Sequence, residues 1–253
     1  MLSKNQLKDL SQYALKKRRD EDHVFVAEGR KLIEELASSF SCRTLVGTDP
    51  ADSSPFIPCK QYFIASRSEM ERISLQKSAR DSFAVFLRHD ASDNNHLPSP
   101  YKGLTLALDT VQDPGNLGTI IRICDWFGVE QVWCSEGCAD PWSPKVVQST
   151  MGALARVHVS TNINLTELLS KARQEGIRIY GTQLDGENIY QKTLDKQAIV
   201  VMGNEGNGLS NEVRKLVNEH LLIPSFPPDR ITSESLNVAV ATAVVIGEFR
   251  RRN

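Results

Sequence analysis

Five apolar residues, Ala198-Ile-Val-Val-Met202, run directly into the loop Gly203-Asn-Glu-Gly-Asn-Gly208. The run has the length and β-branched content of a buried strand. The glycines that follow allow a sharp turn and a close approach of backbone to whatever lies opposite. Ser210 is placed to cap a helix, with Glu212 in its first turn, where the macrodipole favours negative charge. Leu221-Leu-Ile-Pro224 predicts a second strand. A polar, proline-rich loop leads to a segment, Leu236 to Phe249, so apolar that a helix there is buried on most sides. This order of elements restricts the region to an α/β architecture.

The glycine loop resembles a phosphate-binding loop and fails the test. Gly203 to Ser210 reads G-x-x-x-x-G-Leu-Ser, with Leu209 where the phosphate-seeking lysine belongs. Glu205 adds a negative charge that repels phosphate. The spacing is not G-x-G-x-x-G either, so a dinucleotide fingerprint is excluded. Read alone, the loop fits a tight strand-to-helix turn as well as a site for an uncharged or cationic ligand. Asn237 tips the balance. It falls inside the predicted helix, on the face shared with Ala241 and Val244, where an unpartnered buried amide costs about 1–3 kcal/mol. With Ser235 and Glu205 it points to a polar site.

The 253 residues allow one large domain or two smaller ones, and 40% hydrophobic with 24% charged residues is a globular composition. The N-terminus lacks the apolar run of a signal peptide, and no stretch reaches the length of a membrane span. Cys42, Cys59, Cys124, Cys134 and Cys138 form no C-x-x-C pair. Cys134 and Cys138 lack the histidines that would complete a zinc site, so no metal is expected. Reduced thiols in a cytoplasmic protein are the expectation. A net charge of −1 does not announce a nucleic-acid binder. Lys16-Lys-Arg-Arg19 and Arg250-Arg-Arg252 are basic runs, but the first is followed at once by Asp20-Glu-Asp22.

Along the chain, residues 4–18 have the apolar spacing of one amphipathic helix. Strands are predicted near 24–27, 44–46, 62–65 and 83–87, with helices at 28–37 and 69–73. This is a small α/β domain, 1–92, without a catalytic constellation. Residues 93–102 are polar, carry Pro98 and Pro100, and read as a linker. A second region, 103–253, opens with the strand Leu104–Leu108, then Asp109, the turn Asp113-Pro-Gly-Asn116 and a helix from Leu117 to Phe127 stopped by Gly128. Arg122 lies beside Gly115, Gly118 and Thr119, which leave room for a group to dock on its guanidinium. Strands near 129–134, 157–159 and 177–180 and a helix at 165–174 complete a largely parallel sheet with helices on both faces. Sites in such sheets lie beyond the carboxyl ends of the strands, where the Asn116, Thr182 and Gly203 loops fall. No histidine sits in a motif.

Three ordered segments carry a family resemblance. Asp109-Thr-Val-Gln-Asp-Pro-Gly-Asn-Leu-Gly-Thr-Ile-Ile-Arg122 resembles the first motif of the SpoU (TrmH) RNA ribose methyltransferases. Val201-Met-Gly-Asn-Glu-Gly-Asn-Gly-Leu-Ser210, leading to Ile223-Pro224, resembles the second, and Ser235-Leu-Asn-Val238 the third. The resemblance implies a SPOUT-class fold whose C-terminal part threads a trefoil knot that binds S-adenosylmethionine. It also implies a preceding RNA-binding domain, a homodimer, and methyl transfer to a ribose 2′-hydroxyl of rRNA or tRNA. By position, Asn116, Arg122, Glu205, Ser235 and Asn237 are the implied catalytic set. Gly203, Ile223 and Leu236 are the implied cofactor positions, with Thr182 and Gly208 bordering the pocket. Many members have serine where Ala239 stands, and the 226–234 loop is long. An RNA-binding protein of the same fold without catalysis is the alternative from another class. A nucleotide-phosphate enzyme is disfavoured by Leu209 and Glu205.

Overall fold

The computed structural model describes residues 2–48, 54–89, 103–227, 233 and 235–251. The expected linker 93–102 and residues 228–232 and 234 of the long loop lie outside the described residues. The chain divides into two units, one of residues 1–90 with 140–156, the other of 91–139 with 157–253.

In the first unit, α1 (Lys4–Ser11) starts at a capping box made by Ser3 and Gln6. The single helix expected over 4–18 is broken. Residues Gln12–Ala14 form a 3-10 turn, Leu15 is extended, and α2 (Lys16–Glu21) starts afresh. Tertiary contacts override the periodicity. Tyr13 is buried with its hydroxyl donating to Asp22 at 2.7 Å, and Arg19 turns inward to donate to the Tyr13 and Ala14 carbonyls at 2.9 Å. Then come β1 (Val24–Glu28), a turn at Gly29 (φ 93°), α3 (Arg30–Leu36), β2 (Cys42–Gly47), β3 (Cys59–Ile64), α4 (Arg67–Ile73) and β4 (Ser82–Leu87). The sheet order is β1-β4-β2-β3, parallel only between β2 and β3. Glu28 is buried and accepts from Ser74 Oγ at 2.6 Å and the Leu75 amide at 2.7 Å. Burial pushes its carboxyl above the usual range despite those donors.

β5 (Leu104–Leu108), α5 (Pro114–Trp126) and β6 (Gln131–Ser135) belong to the second unit. The chain then returns to the first through α6 (Pro144–Thr150). There Trp142 packs against Phe25 with ring centroids 5.2 Å apart and the rings tilted by 36°, Arg19 pairs with Asp140 at 2.7 Å and Arg156 with Glu35 at 2.8 Å. β7 (His158–Ile163), α7 (Leu165–Gln174), β8 (Arg178–Asn188), β9 (Ala198–Met202), α8 (Asn211–Arg214), β10 (Glu219–Leu222) and α9 (Val238–Arg251) complete the second unit.

Its six strands are all parallel, in the order β10-β8-β9-β5-β6-β7. Side chains alternate between the faces. Ala107, Trp133, Ile179, Ile199 and Val201 pack with Leu165, Leu168, Leu169 and Ala172 of α7. Tyr180 points to the other face and meets Phe249 of α9 edge-on at 5.1 Å. α9 packs along α5 on this side, and its Arg250 donates to the Phe127 and Gly128 carbonyls at 2.7 Å, closing the C-terminus of α5. β8 runs well past the expected 177–180. Its residues 182–186 bulge opposite His220 and Leu221, so close that a Cβ on Gly186 meets the Leu221 backbone at 2.7 Å.

Candidate active site

The site forms where β5 and β9 end side by side, with Leu108 paired to Met202. Beyond β5, α5 begins three residues before the predicted start. The Asp113 side chain accepts the Asn116 amide at 2.8 Å and Pro114 occupies the first turn, so the expected turn is in fact an N-cap. That cap fixes Asn116 at the open end of the helix. Its Nδ2 donates to Glu205 Oε1 at 2.6 Å. Its Oδ1 accepts from Asn237 Nδ2 at 2.9 Å.

Asn237 is not inside a helix, as its sequence position suggested, but exposed just before α9. Its Oδ1 accepts the Ala239 and Val240 amides at 3.0 and 3.3 Å, so it caps the helix. Both amide orientations follow from chemistry. A carboxylate only accepts, so Asn116 presents its NH2 to Glu205 and its oxygen to Asn237, whose own oxygen is left for the helix amides.

The loop carrying Glu205 is held at both ends. Asn204 and Gly208 exchange backbone bonds of 2.9 and 3.0 Å. Asn204 Oδ1 accepts the Gly206 and Asn207 amides, and its Nδ2 donates to the Thr110 carbonyl at 2.8 Å. At the far end, buried Asp109 accepts the Ser210 amide at 2.7 Å. Ser210 does occupy the N-cap of α8, but its side chain makes no capping bond. Sequence reading gave Asp109 and Asn204 no separate role. The signal was a polar residue within two positions of each strand's end.

Arg122 is exposed and has no hydrogen bond or ion pair among the described residues. Ser235 is exposed, its carbonyl accepting from Ser233 Oγ at 3.4 Å. Neither is hydrogen-bonded to the Asn116–Glu205–Asn237 chain. Of the expected cofactor positions, Gly203 is buried directly after β9, and Thr182 reaches the Met202 sulfur at 3.8 Å. Gly208 has φ 67° with open space where a Cβ would lie, Ile223 is half-buried after β10, and Leu236 is half-exposed. The backbone groups of Gly203, Ile223 and Leu236 have no partner among the described residues. Buried polar atoms without partners also occur at Gln183 Oε1 and His220 Nδ1, in the β8 bulge and the strand beside it. Buried side-chain groups are nearly always paired, so Gln183 Oε1 and His220 Nδ1 mark a place for a polar ligand beside the β8 bulge. No group of three or more potential metal-ligating side chains occurs among the described residues.

Residues 103–247 match the SpoU rRNA methylase family and residues 4–84 the MRM3-like substrate-binding domain. The chain is 30% identical to the 23S rRNA (guanosine(2553)-2′-O)-methyltransferase RlmP of Bacillus subtilis, over 98% of this chain and 97% of that one. A solved structure from Porphyromonas gingivalis, assigned to the TrmH family of RNA methyltransferases, superposes with a TM-score of 0.89 at 41% identity over the full length of both chains. An S-adenosylmethionine-bound rRNA methyltransferase from Sinorhizobium meliloti superposes with a TM-score of 0.81 at 26% identity, over 99% of this chain and 97% of that one. Three motifs joined at one point, and a match that covers the whole sheet, place this chain in the SpoU rRNA methylase family.

Proposed function

We propose that this chain is an S-adenosylmethionine-dependent RNA methyltransferase acting on a ribose 2′-hydroxyl of rRNA or tRNA. The observation that carries the reading is the continuous Asn237–Asn116–Glu205 chain of hydrogen bonds, which joins the three motifs at the strand ends. The cofactor position fits the same reading. A buried Gly203 with unpaired backbone, the orphaned Gln183 and His220 atoms, and a carboxylate in place of a lysine suit a polar ligand bearing positive charge. Gly203, Ile223 and Leu236 would hold the cofactor through backbone groups, with Thr182 and Gly208 bordering it. When bound, S-adenosylmethionine supplies an electrophilic methyl carbon on a sulfonium sulfur.

The chain's own residues then bind, orient and stabilise. Arg122, exposed and free of partners among the described residues, binds an RNA phosphate through its fork. An arginine stays protonated in proteins, so it stabilises the developing 2′-alkoxide electrostatically rather than removing its proton. Asn116 is locked between Glu205 and Asn237 and so presents a fixed polar edge to the ribose. Ser235, just ahead of Asn237, completes the set. The inactive RNA-binding alternative finds no support.

The reading extends to the remaining parts. A trefoil knot accords with β10 adding beside β8 while the chain returns to lay α9 on α5, and with the tight Gly186 crossing. A homodimer accords with exposed Val240 and Leu236 at the start of α9. The first unit is assigned to RNA binding. Action in the cytoplasm is part of the same reading, supported by a ribosomal or transfer RNA substrate. No helix among the described residues is long and apolar enough to cross a membrane.

The test is transfer of labelled methyl from S-adenosylmethionine to separated rRNA and tRNA from cells lacking the protein, with Asn116→Ala alongside. Label on a ribose of one fraction, lost in the variant, is the expected result. Cofactor binding without label on either fraction, including precursor and assembled subunits, would overturn it.

A further inference from the structure

Glu28 ends β1 at 2% exposure, and both of its carboxylate oxygens are spent on one surface loop, residues 74–81 between α4 and β4. Ser74 Oγ donates to Oε2 at 2.6 Å and the Leu75 amide to Oε1 at 2.7 Å. Ser74 Oγ in turn accepts the Gln76 amide at 3.2 Å. Leu75 and Ala79 pack inward on the core that holds Val26 and Phe83. Arg67 donates to the Ala79 carbonyl at 3.2 Å, and the Thr48 amide donates to the Asp81 carbonyl at 3.1 Å. The loop is therefore held at its start, along its inner side and at its end. A buried carboxylate is costly unless it is hydrogen-bonded, and here the bonds that offset the cost all come from the loop. Loops fixed by a scaffold are where binding residues concentrate, and a loop already in shape avoids the ordering cost of binding.

The outer side of the loop is basic. Lys77, Ser78 and Arg80 are exposed. The Arg80 Cγ lies 3.7 Å from where a Cβ on Gly29 would stand, so the loop adjoins the start of α3, with Arg30 and exposed Lys31. The acids nearby are engaged by other arginine contacts. Asp81 pairs with Arg67 at 3.1 Å and Glu34 with Arg30 at 2.9 Å. Lys31 and Lys77 enter no ion pair among the described residues. At the other end of the same sheet the arginines are spent internally. Arg88 donates to the Val24 carbonyl and to Asp20, both at 2.8 Å, and Arg19 pairs with Asp140 at 2.7 Å.

We propose that the 74–80 loop and the start of α3 form the surface on which the first unit holds the RNA backbone, with Lys31, Lys77 and Arg80 contacting phosphates and Glu28 positioning the loop beneath them. The inference rests on the RNA reading above and adds to it the contact surface. Lysine and arginine at phosphates fix the register of a strand without reading its bases, so this surface supplies placement and not sequence choice. Its contribution to affinity is electrostatic and falls with salt.

The test measures binding of the full-length protein to deproteinised rRNA and tRNA by filter retention, across about 50 to 200 mM KCl. Each lost phosphate contact takes about 0.7–0.9 off the slope of log affinity against log salt, so Lys77→Gln with Arg80→Gln should flatten the slope by about 1.5 and weaken binding about tenfold or more at about 100 mM. Lys196→Gln with Lys215→Gln removes the same charge from the second unit and should keep the slope. Glu28→Gln deletes a negative charge, so general attraction alone predicts tighter binding. Release of the loop predicts binding weaker by about threefold or more, as the ordering cost returns, with faster amide exchange over 75–80. All variants should keep the wild-type affinity for S-adenosylhomocysteine, which separates a lost contact from a lost fold. An unchanged slope in Lys77→Gln with Arg80→Gln, an equal loss in the control pair, or tighter binding by Glu28→Gln would overturn the surface and leave the proposed methyl transfer standing. Wild type that retains neither RNA would overturn the surface and the proposed function together.

Discussion

Replacing Gly203 by alanine places a methyl group 2.3 Å from the Gly208 carbonyl carbon, 2.5 Å from its oxygen and 2.6 Å from the Leu209 nitrogen. All three are backbone atoms, so no rotamer change relieves the overlap. The two sides of the loop must part. The reciprocal Asn204–Gly208 bonds are then broken, at about 1 kcal/mol each, and overpacking adds about 1–3 kcal/mol. Together the substitution costs about 3–5 kcal/mol, a large share of the ~5–15 kcal/mol that holds a typical domain. The displacement also carries Glu205 away from Asn116, so the ligand site opens with the loop.

Urea unfolding followed by circular dichroism reads the first consequence as a lower midpoint at unchanged slope. Calorimetric titration with S-adenosylhomocysteine reads the second, as affinity weaker by about tenfold or more, a loss above ~1.4 kcal/mol. Gly206→Ala is the internal control. It lies in the same loop, but its Cβ would meet nothing nearer than Asn204 Oδ1 at 3.5 Å, so stability should hold within about 0.5 kcal/mol. Gly203→Ala matching wild type in both assays, or Gly206→Ala matching Gly203→Ala, would refute the close-approach argument.

Three further outcomes follow from the same geometry. Asn116→Asp exchanges the donor facing Glu205 for a second carboxylate; methyl transfer should fall about 10²–10³-fold while the circular dichroism spectrum stays native. Asp109→Ala leaves the Ser210 amide without its acceptor and should cost about 1–3 kcal/mol in urea unfolding, with Asp109→Asn recovering most of it. The Cys138 thiol is lowered to about 7 from an ordinary value of 9.0, so its contribution is full above the unfolded value and is lost as pH falls through the folded one. Wild type should therefore gain about 1 kcal/mol over Cys138→Ser between pH 6 and pH 8; parallel stability curves for the two proteins would dismiss the lowered thiol.

Elements buried on both faces were legible because composition alone marks them. Leu104–Leu108 and Ala198–Met202 appear as strands with the predicted bounds, and α7 has its predicted ends, Leu165 and Gln174, with Gly176 (φ 76°) following. The misreadings share a cause, an apolar periodicity overruled by polar or pairing contacts that it does not record. The 4–18 helix breaks because Tyr13 and Arg19 are satisfied elsewhere. β8 is extended because β10, some thirty residues on, pairs with its far end. Asn237 was placed inside α9 because apolar periodicity continues through Leu236. What ends the helix is a side-chain bond to its own first amides, and periodicity carries no record of that. Of the candidate site, the Asn116–Glu205–Asn237 convergence was readable only through motif order. Nothing in spacing predicts that residues 116 and 237 touch.

As sequence the two basic runs are weak evidence for RNA contacts, and the structure spends much of them internally. Arg19 is buried against Asp140, Lys16 and Arg18 pair with Asp20 and Asp22, Arg250 closes α5, and Arg251 pairs with Glu248. Arg122, set between small residues, is a cation without such a partner among the described residues. A phosphate bound there gains nearly its full charge-assisted hydrogen bonding, because no internal ion pair must first be broken. Arg122→Lys keeps the charge and loses the fork, so it should raise KM for RNA and lower kcat together, with the S-adenosylhomocysteine affinity unchanged. Near-full turnover by Arg122→Lys would mean that only a point charge is needed there, and the bidentate role would have to be abandoned.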